Sequence, residues 1–158
     1  MSIVYHPKQA GIFQEDTRTQ HHLLTSITDE CVDRFGEGVC KEQSCGTELV
    51  VIAHGTVATQ IRMGGASRSA SQTIATLAEG ESFGDVALPD SGIRSARAAC
   101  REKNTLLVIH RDPPNVLCEN YPALGTKLTR NLAASLVVKT RTTVSQLSHP
   151  LTQLRSTP

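Results

Sequence analysis

Apolar residues change their spacing twice along this chain. Leu23, Leu24, Ile27, Cys31 and Val32 recur at helical intervals, with Asp29 and Glu30 on the other side, and predict a helix over 19–35. From 36 to 110 the pattern shortens to strands. Leu49 to Ala53 is an unbroken apolar run, Gly55 interrupts it, and Val57, Thr59 and Ile61 then alternate. Leu106 to Ile109 is a second apolar run, suited to a buried strand, and the small polar run GGASRSASQT reads as a hairpin loop. After Pro113-Pro114 the helical period returns. Residues 115–120 predict a short helix and Pro122 opens a long one, with Leu124, Leu128, Leu132 and Leu136 at four-residue steps and Ala133, Val137 and Val144 widening the stripe. Lys127, Arg130, Lys139 and Arg141 fall on its more polar faces. The first half of the stripe is sized to pack on the strands. Val137 to Leu147 outruns them, and a partner helix or a lid over a ligand would use the surplus.

These segments make one domain, a length of 158 residues being enough for a single core. The expected architecture is mostly β with flanking helices: a β-roll or jelly-roll-like barrel of about eight strands, an N-terminal helix and C-terminal helices. Residues 1–18 are read as a loosely held arm, 19–147 as the domain (barrel over 36–110, C-terminal helices over 113–147), and 148–158 as a tail.

Charge and composition narrow the function. A formal net charge of +1 lacks the electrostatic footprint of a general nucleic-acid binder, and the absence of Trp argues against a base-stacking surface for single strands. No apolar run approaches a membrane span and the N-terminus lacks a signal-peptide pattern, so a cytoplasmic protein with reduced cysteines is expected. Cys31, Cys40 and Cys45 lie near His21 and His22 in sequence, but their gaps fit no zinc knuckle, and no metal or cofactor is expected.

The chemistry concentrates in GESFGDVALPDSGIRSARAACR, residues 80–101. Glycine lets a backbone approach a ligand closely, a short helix start offers N–H groups to an anion, and an arginine supplies a planar fork for a phosphate. An acidic side chain at Asp85 has no place beside a phosphate unless it accepts from hydroxyl groups, as on a ribose. The segment therefore reads as a pocket for a sugar phosphate with a free hydroxyl.

The same segment resembles the phosphate-binding cassette of the cyclic nucleotide-binding domain family, Phe-Gly-Glu-x-Ala-Leu, about five residues, then Arg-(Ala/Ser/Thr)-Ala. The matching positions are Phe83, Gly84, Asp85, Ala87, Leu88, Arg94, Ser95 and Ala96, with Val86 inside the motif. The likeness extends over roughly 20–147. It implies that Arg94 pairs with the cyclic phosphate, backed by N–H groups near Ala87 and Leu88, and that Asp85 stands in for the family's ribose-binding glutamate. Aspartate is one methylene shorter, and the weaker bond would cost about tenfold in affinity. Ser95 permits cyclic GMP without demanding it, and Thr140 or Val137 would cover the base. Arg97-Ala98-Ala99 imitates the motif three residues on, but its distance from Phe83 favours Arg94, leaving Arg97 on an exposed strand face.

The resemblance implies a non-enzymatic sensor: it binds a 3′,5′-cyclic nucleotide, cyclic AMP ahead of cyclic GMP, and moves its C-terminal helices. The eleven residues after Leu147 are too few for the helix-turn-helix of the DNA-binding members, so no DNA partner is expected. A homodimer through the C-terminal helix, or an effector protein, would receive the signal. The alternative is a degenerate domain without nucleotide, used for dimerisation or docking. A cupin-type metalloenzyme is disfavoured, because His21, His22, His54, His110 and His149 lack the required ligand spacing.

Overall fold

Strand β3 (Glu48–His54) shows how the fold is assembled, because its side chains alternate between two cores. Leu49, Val51 and Ala53 face one hydrophobic cluster, while Val50 and Ile52 face another. Its neighbour β8 (Asn104–His110) does the same: Leu107 and Ile109 join the first cluster, Leu106 and Val108 the second. Runs that read as uninterrupted apolar sequence are thus strands buried on both faces.

The computed structural model describes residues 11–13, 18–40, 43–44, 46–62, 71–85, 93–110 and 118–154. The described residues hold six further strands: β1 (Thr28–Asp33), β2 (Gly38–Cys40), β4 (Val57–Arg62), β5 (Ser71–Leu77), β6 (Ser82–Phe83) and β7 (Arg97–Cys100). They form two antiparallel four-stranded sheets, ordered β1-β8-β3-β6 and β2-β7-β4-β5. The expected jelly-roll-like arrangement of eight strands is present, with one correction: the sheets face each other without closing into a barrel. Val50, Ile52, Val57, Leu77, Phe83, Ala98, Cys100 and Leu106 fill the space between them.

The other face of the first sheet carries the helical layer. A 3-10 turn (Gly11–Phe13), helix α1 (Arg18–Thr25) and helix α2 (Pro122–Leu154) bring Ile12, Phe13, Leu24, Leu124 and Leu128 onto β3 and β8. Gly11–Phe13 is therefore no loose arm. Ile12 and Phe13 are buried, and Asn131 of α2 donates to the Ile12 carbonyl at 3.1 Å.

Two element boundaries differ from the sequence reading. The helix expected over 19–35 stops at Thr25, where the Ser26 and Thr28 hydroxyls donate to the carbonyls of Leu23 and Leu24 at 2.6 and 2.7 Å. Residues 28–33 instead pair with β8 from Thr28↔Ile109 to Asp33↔Asn104. Cys31 and Val32 are exposed there, so their helical spacing after Leu24 is coincidental, and pairing with a formed sheet overrides it. The exposed acidic side chains of Asp29 and Glu30 lie along this outer strand, a composition that discourages further strand addition. Strand structure thus begins at 28, ahead of the expected 36. At the other end α2 continues past 147 to Leu154, into the stretch expected to be a tail. The expected helix over 115–120 is seen as helical residues 118–120, its earlier part lying outside the described residues, as do 64–70 of the expected hairpin loop and Pro113-Pro114; residues 71–73 of that loop belong instead to β5. Within the described residues no helix is long and apolar enough to cross a membrane.

Candidate functional site

The site lies at one end of the first sheet, where the start of β3, the turn after β6 and the segment before β7 converge. The approach to β7 is fixed by two backbone hydrogen bonds, Arg94 N–H to the Ser44 carbonyl and Gln43 N–H to the Arg94 carbonyl, both 2.9 Å. These bonds set where the Arg94 side chain leaves the chain.

Arg94 does not project into solvent. Its side chain is 9% exposed, and Nη2 donates to the Glu48 carbonyl at 2.8 Å and to the Glu48 carboxylate at 3.0 Å. Burial pushes the Glu48 carboxyl up, but the Thr47 N–H, the Arg94 hydrogen bond and charge, and the Thr47 hydroxyl outweigh it and hold the group below its ordinary value. Arg97, by contrast, opens β7 with an exposed side chain.

Two glycines make room for the guanidinium. A Cβ at Gly46 would sit 1.8 Å from Arg94 Nε, and one at Gly84 would sit 2.1 Å from Nη1 and 2.5 Å from the Glu48 carbonyl. Gly84 also holds φ at +78°, a conformation that residues with a Cβ rarely adopt. The guanidinium therefore occupies a slot that only glycine-lined backbone leaves open.

Next to Gly84 stands Asp85, whose residue is 3% exposed. The Ser82 hydroxyl donates to Oδ1 at 2.8 Å, and Lys139 of α2 donates to Oδ2. Lys139 Nζ also donates to the Ser82 carbonyl at 2.7 Å. Lys139 is thus not on a polar outer face: it reaches into the cassette from the long helix. Thr140 and Val137, which would have covered a base, are exposed.

The remaining cassette residues separate. Phe83 turns into the core between the sheets and pairs its backbone with Val50, so its ring supports the site from below rather than lining it. Ser95 is exposed and Ala96 half-buried. Val86, Ala87 and Leu88, expected to supply backbone N–H groups, lie outside the described residues.

Sequence reasoning missed Glu48, Gly46 and Lys139. Lys139 was within reach: it follows Leu136 by three residues and so continues the inward stripe one turn further. Gly46 looked like any turn glycine, and nothing in the sequence pairs Glu48 with an arginine 46 positions away.

Burial pushes the thiols of Cys40, Cys100 and Cys118 up, away from the thiolate form, and the described residues hold no group of three His, Cys, Asp or Glu placed to ligate a metal. What they hold is a recessed guanidinium bonded to Glu48 and a buried carboxylate bonded to Ser82 and Lys139.

No protein-family model matches the chain. Over 102 residues it is 32% identical to the cyclic AMP receptor protein of Thermus thermophilus, a stretch covering 64% of this chain and 45% of that protein, so the chain spans less than half of that relative. Among solved structures it resembles a cyclic nucleotide-binding domain from Methylobacillus flagellatus, with a TM-score of 0.77 and 23% identity over 85% of this chain and 74% of that one. It also resembles the catabolite activator protein of Thermus thermophilus, with a TM-score of 0.73 and 26% identity over 88% of this chain and 62% of that one.

Proposed function

Starting from structural neighbours and a relative that point to cyclic nucleotide-binding domain proteins of the bacterial catabolite-activator type, we propose that this chain is a regulatory domain that binds a 3′,5′-cyclic nucleotide and performs no catalysis. The observation that carries the reading is the Arg94 slot. A nearly buried guanidinium, fixed by Nη2 on Glu48 and seated against Gly46 and Gly84, is the group we assign to the phosphate. Asp85 is the acceptor for the ribose 2′-hydroxyl, and Val86, Ala87 and Leu88 supply N–H groups to the phosphate. Cyclic AMP is the preferred ligand, a preference supported by the name of the Thermus relative. Ser95 leaves cyclic GMP open. Helix α2, which touches both the cassette and the helical core, carries the response.

Titration calorimetry with cyclic AMP, cyclic GMP and 2′-deoxy cyclic AMP tests this reading. The expected order of affinity is cyclic AMP, then cyclic GMP, with the 2′-deoxy form about tenfold weaker than cyclic AMP, as loss of a charge-assisted hydrogen bond implies. No heat from any of them at high micromolar concentration overturns it.

One observation favours a second reading. The Asp85 carboxylate already carries the Lys139 ammonium, so α2 stands in the place of a ligand. On that reading the domain binds no nucleotide and serves as a docking or dimerisation module.

A further inference from the structure

We propose that Lys139 is a displaceable latch: its ammonium holds the carboxylate that a nucleotide's ribose hydroxyl needs, so ligand binding and docking of this part of α2 exclude each other. The inference rests on the proposed nucleotide-binding function and names how that site is regulated.

Three features of the contact argue for a latch. First, the ammonium is saturated within the cassette, donating to Asp85 Oδ2, to the Ser82 carbonyl at 2.7 Å and more weakly to the Ser82 hydroxyl at 3.5 Å. Asp85 in turn takes the Ser82 hydroxyl on Oδ1, so the lysine accounts for Oδ2. Second, burial is unequal. The Asp85 side chain is 3% exposed and that of Lys139 30%, so of the two partners the lysine is the one in contact with solvent. A hydroxyl that binds Oδ2 must displace the ammonium held there. Third, the contact lies where burial along the helix ends. Leu124 and Leu128 are buried and Leu136 half-buried, but every described side chain from Thr140 to Ser145 is exposed.

A buried carboxylate stripped of its cation and left unpaired is strongly unfavourable, so Lys139 does not leave spontaneously to any large extent. A ribose hydroxyl that donates to the same oxygen replaces one charge-assisted bond by another, and Arg94, packed against the neighbouring Gly84, gains the phosphate at the same time. The ligand therefore draws the population toward the unlatched state by contacts available only there. While the latch is closed, apparent affinity is reduced by the fraction of molecules that are open.

Amide exchange over 137–145, read together with cyclic AMP affinity, tests this in the whole chain. In the ligand-free protein Lys139→Met should speed exchange in that segment, and saturating cyclic AMP should speed it in the wild type. Lys139→Met should also bind cyclic AMP about tenfold more tightly, the gain expected if roughly nine molecules in ten are latched. Should the buried Asp85 charge prevent Lys139→Met from folding, Lys139→Met/Asp85→Asn removes both charges and should show the same faster ligand-free exchange. Equal or weaker binding by Lys139→Met, where the wild type binds, overturns the latch and leaves the nucleotide-binding reading standing. Unchanged ligand-free exchange overturns it as well. Binding by Lys139→Met alone supports a latch that the wild type keeps shut. Binding by neither protein overturns the latch and the nucleotide reading together.

Discussion

A single nitrogen of Arg94 meets Glu48 twice, at 2.8 Å on its backbone carbonyl and at 3.0 Å on its carboxylate. One bond ties the guanidinium to the frame of β3 and the other matches its charge. The arginine is thus held before any ligand arrives, which reduces the side-chain ordering that binding would otherwise require.

Removing this arginine is the most direct probe of the site. Arg94→Ala should weaken cyclic AMP binding by roughly 30-fold or more, the loss expected when a recessed anion loses its charged partner at about 2–5 kcal/mol. Arg97→Ala, on the exposed start of β7, should change affinity less than twofold. Calorimetry of both variants decides; the opposite pattern would shift the binding register by three residues.

Acid should loosen the site through Glu48. Its carboxyl is held below the ordinary 4.5, so its stabilising contribution is complete above that pH and disappears as pH falls through the lower folded-state value. Glu48→Gln should be less stable than the wild type at pH 7, and the gap should close as pH drops below 4.5. Urea unfolding midpoints from pH 7 to pH 3 measure it, and a gap that stays constant to pH 3 would contradict the assignment.

The two glycines should respond differently to an added methyl group. Gly84→Ala meets both a carbonyl oxygen and a positive φ, so it should destabilise the fold by about 1–3 kcal/mol as well as weaken binding. Gly46→Ala meets the Arg94 side chain first, with no positive φ to strain it, and should reduce cyclic AMP affinity about tenfold with a smaller effect on stability. Melting curves combined with calorimetry separate the two effects.

Along α2 burial sets a gradient. Leu124, 0% exposed, should cost about 2–5 kcal/mol as Leu124→Ala. Val144, 59% exposed, should stay within about 0.5 kcal/mol as Val144→Ala. Chemical denaturation of the two variants checks the contrast, and a destabilising Val144→Ala would mean that this side chain is covered in solution.

What could be read from sequence follows from which contacts are local. The apolar runs at Leu49–Ala53 and Leu106–Ile109 announce β3 and β8 because a strand buried on both faces needs no partner to be recognised. The leucines of α2 disclose its buried side because they repeat within one element. Residues 28–33 were misread because their conformation is decided by β8, far along the chain, and not by their own spacing. The same holds at the site. Arg94 and Asp85 stand in a compact motif, whereas Glu48 and Lys139 reach them only after the sheet and the long helix have formed.

The alternation along β3 and β8 makes the first sheet a bulkhead between two separately filled compartments. Leu49, Val51, Leu107 and Ile109 close the helical side, while Val50, Ile52, Leu106 and Val108 close the other. Repacking α2 disturbs the first compartment and leaves the second sealed by its own residues. A conformational response can therefore be confined to one side of the wall, with the strands that carry the Arg94 slot remaining as its rigid mount.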